Sequence, residues 1–106
     1  MTPTKVTLKK YGLSEEEWQA ILDSQGGVCP ICGKAPSTGR WVIDHYHVKG
    51  WKNMPPELRK LYVRGILCWF CNHSYVGRGI TIQKAENMVS YLKRFAMVLW
   101  DRGLSQ

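Results

Sequence analysis

The sequence predicts a small α+β domain stapled by zinc, in which two short antiparallel strands lie between an N-terminal and a C-terminal helix. Three observations predict it. All four cysteines fall in two C-x-x-C pairs, Cys29 with Cys32 and Cys68 with Cys71, the spacing of zinc knuckles. Two β-prone runs, 41–43 and 61–67, lie between the pairs. Apolar residues at helical spacing lie outside them. A chain of 106 residues has room for a single domain, 1–106, with a modest core, and a metal staple supplies folding free energy that such a core lacks.

The N-terminal helix starts at Ser14, whose hydroxyl can cap the first turn while Glu17 reaches back as the other half of a capping box. Trp18, Ile21 and Leu22 form one apolar stripe, which stops at Gly26 and Gly27. Residues 29–39 are rich in turn formers (Pro30, Gly33, Pro36, Ser37, Gly39) and lead into the first strand. A polar, basic loop from Lys49 to Lys60 joins the strands, with room for a helical turn between Pro56 and Tyr62. The strands and the segment after the second knuckle make a core over about residues 41–78. A last helix, over about 82–101, carries Ala85, Met88, Val89, Leu92, Ala96 and Leu99 on one face. Tyr91, Phe95, Val98 and Trp100 widen that face, so the helix is either buried on two sides or offers apolar surface to a second copy of the chain.

Fifteen Lys and Arg stand against eight Asp and Glu, a net charge of +7, which points to a polyanionic partner and first to nucleic acid. Four of the acids cluster at 15–23, and from Lys34 to Arg94 there is a net excess of eight positive charges. Trp41, Tyr46, Trp51, Tyr62, Trp69 and Tyr75 are interspersed among these cations. They suit either stacking on bases or packing in the core and around the metal. Lys49, Lys52, Arg59, Lys60, Arg64 and Arg78 are the expected nucleic-acid contacts. No run approaches the length of a membrane span, and the N-terminus lacks the features of a secretory signal, so the expectation is a soluble, cytoplasmic protein without a membrane partner.

Four thiolates make a closed structural zinc site, since a catalytic zinc keeps a position open. Disulfides fit an intracellular chain poorly, and redox chemistry leaves the second pair unexplained. Chemistry therefore falls to the insert between the knuckles, which contains Asp44, His45 and His47. Asp44 offers a carboxylate and Asn72, fixed by the second knuckle, a carbonyl; with water and phosphate they make a common Mg²⁺ environment. His45 can take a proton from the attacking water. The bland alternatives are that Asp44 closes a turn, that His45 and His47 lie on the surface, and that Asn72 caps a helix.

The ordered motifs at 11–13, 25–33, 43–47, 63–68 and 71–72, with Tyr91, Leu92, Lys93 and Arg94 in the following helix, resemble the phage recombination endonuclease VII family. That resemblance implies an HNH nuclease of the ββα-metal, or His-Me finger, architecture that hydrolyses duplex or branched DNA with Mg²⁺ or Mn²⁺. It implies Asp44 and Asn72 as ligands of the catalytic metal, His45 as general base, and Cys29, Cys32, Cys68 and Cys71 on structural zinc. His47 is then assigned to phosphate orientation or a weaker metal contact, and Arg64 to phosphate, packing or a salt bridge. A phage origin places the protein in the host cytoplasm. The chain departs from the family at Tyr75, where some members carry an acid, and in its longer loop at 49–62. It also ends soon after Arg94, where longer members continue into the dimers that grip branched DNA, so junction resolution is not implied. The alternatives are a zinc-stabilised nucleic-acid-binding module without hydrolysis, and an interaction protein using the face around Phe95, Val98 and Trp100.

Overall fold

The computed structural model describes residues 2–103. Met1 and residues 104–106, which the expected domain of 1–106 includes, lie outside the described residues. No helix among the described residues is long and apolar enough to cross a membrane.

A helix absent from the sequence expectation opens the chain. α1 (Lys5–Tyr11) is capped by Thr4, whose hydroxyl accepts from the Thr7 amide, and is closed by Gly12 at φ 72°. Leu8 is its one buried side chain, so seven residues carry too little periodicity to announce a helix, although both caps stand in the sequence. α2 (Glu15–Ser24) follows with the expected capping box: Ser14 accepts from the Glu17 amide and Glu17 accepts from the Ser14 amide. Three acids in its first turn suit the positive helix end.

β1 (Trp41–His45) and β2 (Val63–Cys68) pair antiparallel, with Ile43 opposite Ile66 and Asp44 opposite Gly65. The second strand therefore starts later than 61, because Leu61 and Tyr62 belong to a 3₁₀ turn, Lys60–Tyr62. The register shifts between Asp44 and His45, leaving Arg64 without a partner across the ladder. The loop at 49–60 contains a 3₁₀ turn (Trp51–Asn53) and a single-turn helix, α3 (Pro56–Arg59), the latter within the window expected for a helical turn. The outer edge of β2 is closed by a side chain: the Gln25 amide donates to the Ile66 carbonyl at 2.8 Å and accepts from the Ile66 N–H at 2.9 Å.

Leu8, Leu13, Trp18 and Leu22 pack on Ile43 and Ile66 to form the main core. A second cluster joins Cys29, Leu67, Cys68 and Cys71, and Trp41 packs against both. α4 (Trp69–Ser74) grows directly out of β2. α5 (Ile82–Asp101) matches its expected span, but none of its residues is buried, which overturns the reading of a helix covered on two sides. The two small cores are complete without it. Its projection gives a radius of gyration of 17.2 Å, against about 13 Å for a compact chain of this length.

Candidate metal centre and active site

The two knuckles meet where β2 hands over to α4. The Sγ atoms of Cys29, Cys32, Cys68 and Cys71 all lie within 4.8 Å of one another, close enough for one tetrahedral ion to take all four. The Cys68 sulfur also accepts from the Cys71 amide that opens α4, so the cluster fixes the start of the helix that carries Asn72. Burial pushes the Cys29 thiol up, but the backbone N–H groups of Cys32, Cys68 and Ile31 outweigh it and hold the group near 7. Burial and the neighbouring thiols push Cys71 up instead. Four thiolates repel one another without a cation; a bound Zn²⁺ expels their protons and couples folding to metal. The donor set fits zinc.

At the other end of β1, Asp44 and His45 make different contacts. Asp44 is buried, 6 % exposed, and lines a cavity with Arg64, Leu67, Val76 and Ile80. The Arg64 Nε donates to its Oδ2 at 2.7 Å and an Arg64 terminal nitrogen to its Oδ1 at 3.1 Å. Of the roles open to Arg64 in the sequence, the structure displays the salt bridge. A cation held by this carboxylate would have to displace the guanidinium or share an oxygen with it. Asn72 is half-buried on α4, with no side-chain hydrogen bond among the described residues.

His45 is sandwiched. Its ring stacks on Trp51 with centroids 4.0 Å apart and planes 18° apart, and on His47 at 4.7 Å and 6°. Tyr11 tilts against both His45 and Trp51. Burial, then the charges of His47, Arg64 and Lys10, push the His45 pKa below the ordinary histidine value, and Asp44 opposes them. On balance these surroundings favour the neutral imidazole over the cation.

The expected DNA contacts divide. Lys49, Lys52 and Arg78 are exposed and have no acidic partner among the described residues. Lys60 pairs with Glu17 at 2.8 Å, which lowers the Glu17 pKa. Arg59 turns inward and donates to the carbonyls of Lys10 and Lys52. Trp51 is buried, so of the two aromatic roles it takes packing; Trp69 stays partly exposed, stacked on His73 with the Arg40 guanidinium over its ring. Residues whose structural part the sequence did not reveal are Tyr11 and Lys10 beside His45, Trp51 beneath it, and Gln25 on the strand edge. For Lys10 the one available signal was the pair of caps, Thr4 and Gly12, around α1; Tyr11 stood in the motif at 11–13 without an assigned role.

The family model described as recombination endonuclease VII matches residues 4–94. The Gene 59 protein of Mycobacterium phage D29 is 34 % identical over 89 residues, covering 82 % of this chain and 47 % of that protein. Its namesake in Mycobacterium phage L5 is 32 % identical over 88 residues, covering 82 % and 43 %. The chain thus spans about half the length of the curated relatives it matches. No solved structure matches it.

Proposed function

This chain belongs to the recombination endonuclease VII family, and from that premise we propose that it is a metal-dependent DNA endonuclease of the HNH type. The observation that carries the reading is the end of β1, where a buried carboxylate, Asp44, adjoins an imidazole, His45, packed between two rings. His45 takes a proton from the water that attacks phosphorus. Asp44 and Asn72 would hold Mg²⁺ or Mn²⁺, which would supply stabilisation of negative charge on the scissile phosphate and the leaving oxygen. His47, on the outer side of the stack, orients phosphate. Lys49, Lys52 and Arg78 neutralise the flanking backbone. The cysteines hold structural zinc and keep α4 against the strands. The phage origin of the relatives supports action in the bacterial cytoplasm, and the exposed face of α5 supports a second copy of the chain as partner.

Plasmid nicking tests the activity. With Mg²⁺ the zinc-loaded chain is expected to nick or linearise supercoiled DNA. With EDTA, at zinc content verified unchanged, and in His45→Ala, cleavage is lost while DNA binding persists. Full cleavage by His45→Ala would remove the assignment of the base. One observation favours a second reading, a zinc-stabilised DNA-binding module without hydrolysis: both Asp44 oxygens are engaged by Arg64. On that reading the wild type binds DNA and leaves it uncut whichever divalent cation is supplied.

A further inference from the structure

The loop between the strands does more than present cations. We propose that Trp51 is the positioning residue for the His45 imidazole and that Arg59, a basic residue of the same loop, serves to fix Trp51 rather than to contact DNA. The inference rests on the reading of His45 as general base.

The geometry is that of a supported plate. Trp51 is only 5 % exposed, and its indole lies flat against His45 at 4.0 Å. An imidazole attached by two rotatable bonds turns freely unless something packs against its faces, and here one face is covered by Trp51 and one by His47. Tyr11 closes the side toward α1. Ring orientation decides which nitrogen meets the water, and a base must come within about 2.6–3.2 Å of the proton it removes.

Arg59 holds the indole in turn. Its guanidinium lies over the Trp51 ring at 5.3 Å. One terminal nitrogen donates to the Lys52 carbonyl, beside Trp51, at 2.8 Å, and the other to the Lys10 carbonyl at the end of α1 at 3.1 Å. The Trp51 Nε1 donates back to the Arg59 carbonyl at 3.4 Å. The Arg59 Nε is buried and has no hydrogen-bond partner among the described residues. Two of its five N–H groups are engaged by carbonyls and a third, on Nε, is buried, which ties the guanidinium to this support and leaves only part of its fork for a phosphate. The planar fork reaches the two carbonyls from two separate nitrogens in fixed geometry, which the single nitrogen of an ammonium does not reproduce. α1, the Trp51 turn and α3 are thereby closed into one support behind His45.

The test compares steady-state cleavage, DNA affinity and its salt dependence in Trp51→Leu, Trp51→Phe, Arg59→Lys and His45→Ala, each at verified zinc content and helical signal. Misplacing a catalytic group by about 1 Å costs on the order of 100-fold in rate. Trp51→Leu is therefore expected to lose about 10- to 100-fold in kcat with KM within about threefold, and Trp51→Phe, which keeps a ring against the imidazole, to recover most of it. Arg59→Lys, which preserves charge, is expected to lower kcat with DNA affinity and salt slope unchanged. If Trp51→Leu and Arg59→Lys keep wild-type kcat while His45→Ala is inactive, the positioning role is overturned and the base assignment stands. If Arg59→Lys instead keeps wild-type kcat and weakens DNA binding, Arg59 is a phosphate contact read through its bidentate fork. Should Trp51→Leu fail to fold, Arg59→Lys decides alone. Full activity in His45→Ala overturns both readings.

Discussion

Replacing Gly12 by alanine separates two costs that a second glycine lets one measure independently. Gly12 sits at φ 72° between α1 and α2, and a Cβ there would lie 2.1 Å from the Pro56 carbonyl oxygen on α3. Gly26 has nearly the same backbone, φ 71°, but a Cβ there meets nothing within 4 Å. Holding an L-residue in the left-handed region costs about 1–2 kcal/mol, which is the whole expectation for Gly26→Ala. At Gly12 the clash is with backbone, so α1 and α3 must separate by roughly an ångström, an overpacking cost of about 1–3 kcal/mol on top. The sum, about 2–5 kcal/mol, is a large share of a small domain's stability. Denaturant unfolding of both variants at one fixed free zinc concentration gives the two numbers. Because α3 carries Arg59, Gly12→Ala is also expected to lower cleavage where Gly26→Ala does not. Equal destabilisation by the two substitutions would refute the packing of α1 on α3 described here.

Three further outcomes are expected. Gln25→Leu strands the N–H and C=O of the fully buried Ile66, so it destabilises by about 2–4 kcal/mol, measured in the same unfolding experiment; a loss below about 1 kcal/mol would contradict the edge closure. Since the His45 pKa is pushed down, its neutral form persists to lower pH, and the acid limb of kcat/KM is expected below the ordinary histidine value of about 6.5; a limb above that value would show the imidazole stabilised as a cation. Phe95 and Trp100 stand 60 % and 79 % exposed on α5, so Phe95→Asp is expected to convert a dimer to monomer in sedimentation equilibrium, and a wild type monomeric at every concentration would exclude α5 as the contact.

What the sequence disclosed is what short-range chemistry decides. Ser14 and Glu17 are three residues apart and form their box in place, and the helical spacing of the last segment matches the bounds of α5. Each C-x-x-C pair is local, and the two pairs leave one sensible partner arrangement. The placement of the support behind His45 depends instead on contacts that no window contains. Arg59 reaches Lys10 across 49 residues, and Gln25 reaches Ile66 across 41. A basic residue in a polar loop carries the same signature whether it faces phosphate or two carbonyls, so Arg59 was indistinguishable from Lys49 and Lys52. Arg64 is a similar case: the register shift beside Asp44 gives it the chance to fold onto the carboxylate, and shifts of that kind leave no pattern in composition. The exposure of α5 followed from packing volume, because Leu8, Trp18, Leu22 and Ile66 already fill the main core.

Hydrolysis of DNA is proposed for the end of β1. Single-turnover cleavage of an end-labelled duplex, saturated with chain carrying one zinc per molecule, tests it most directly, because binding is removed from the rate. With Mg²⁺ the wild type is expected to convert the bound duplex to discrete products and His45→Ala to leave it intact at equal occupancy. Equal rates for the two proteins, or a saturated wild type that leaves the duplex whole with both Mg²⁺ and Mn²⁺, would contradict the account.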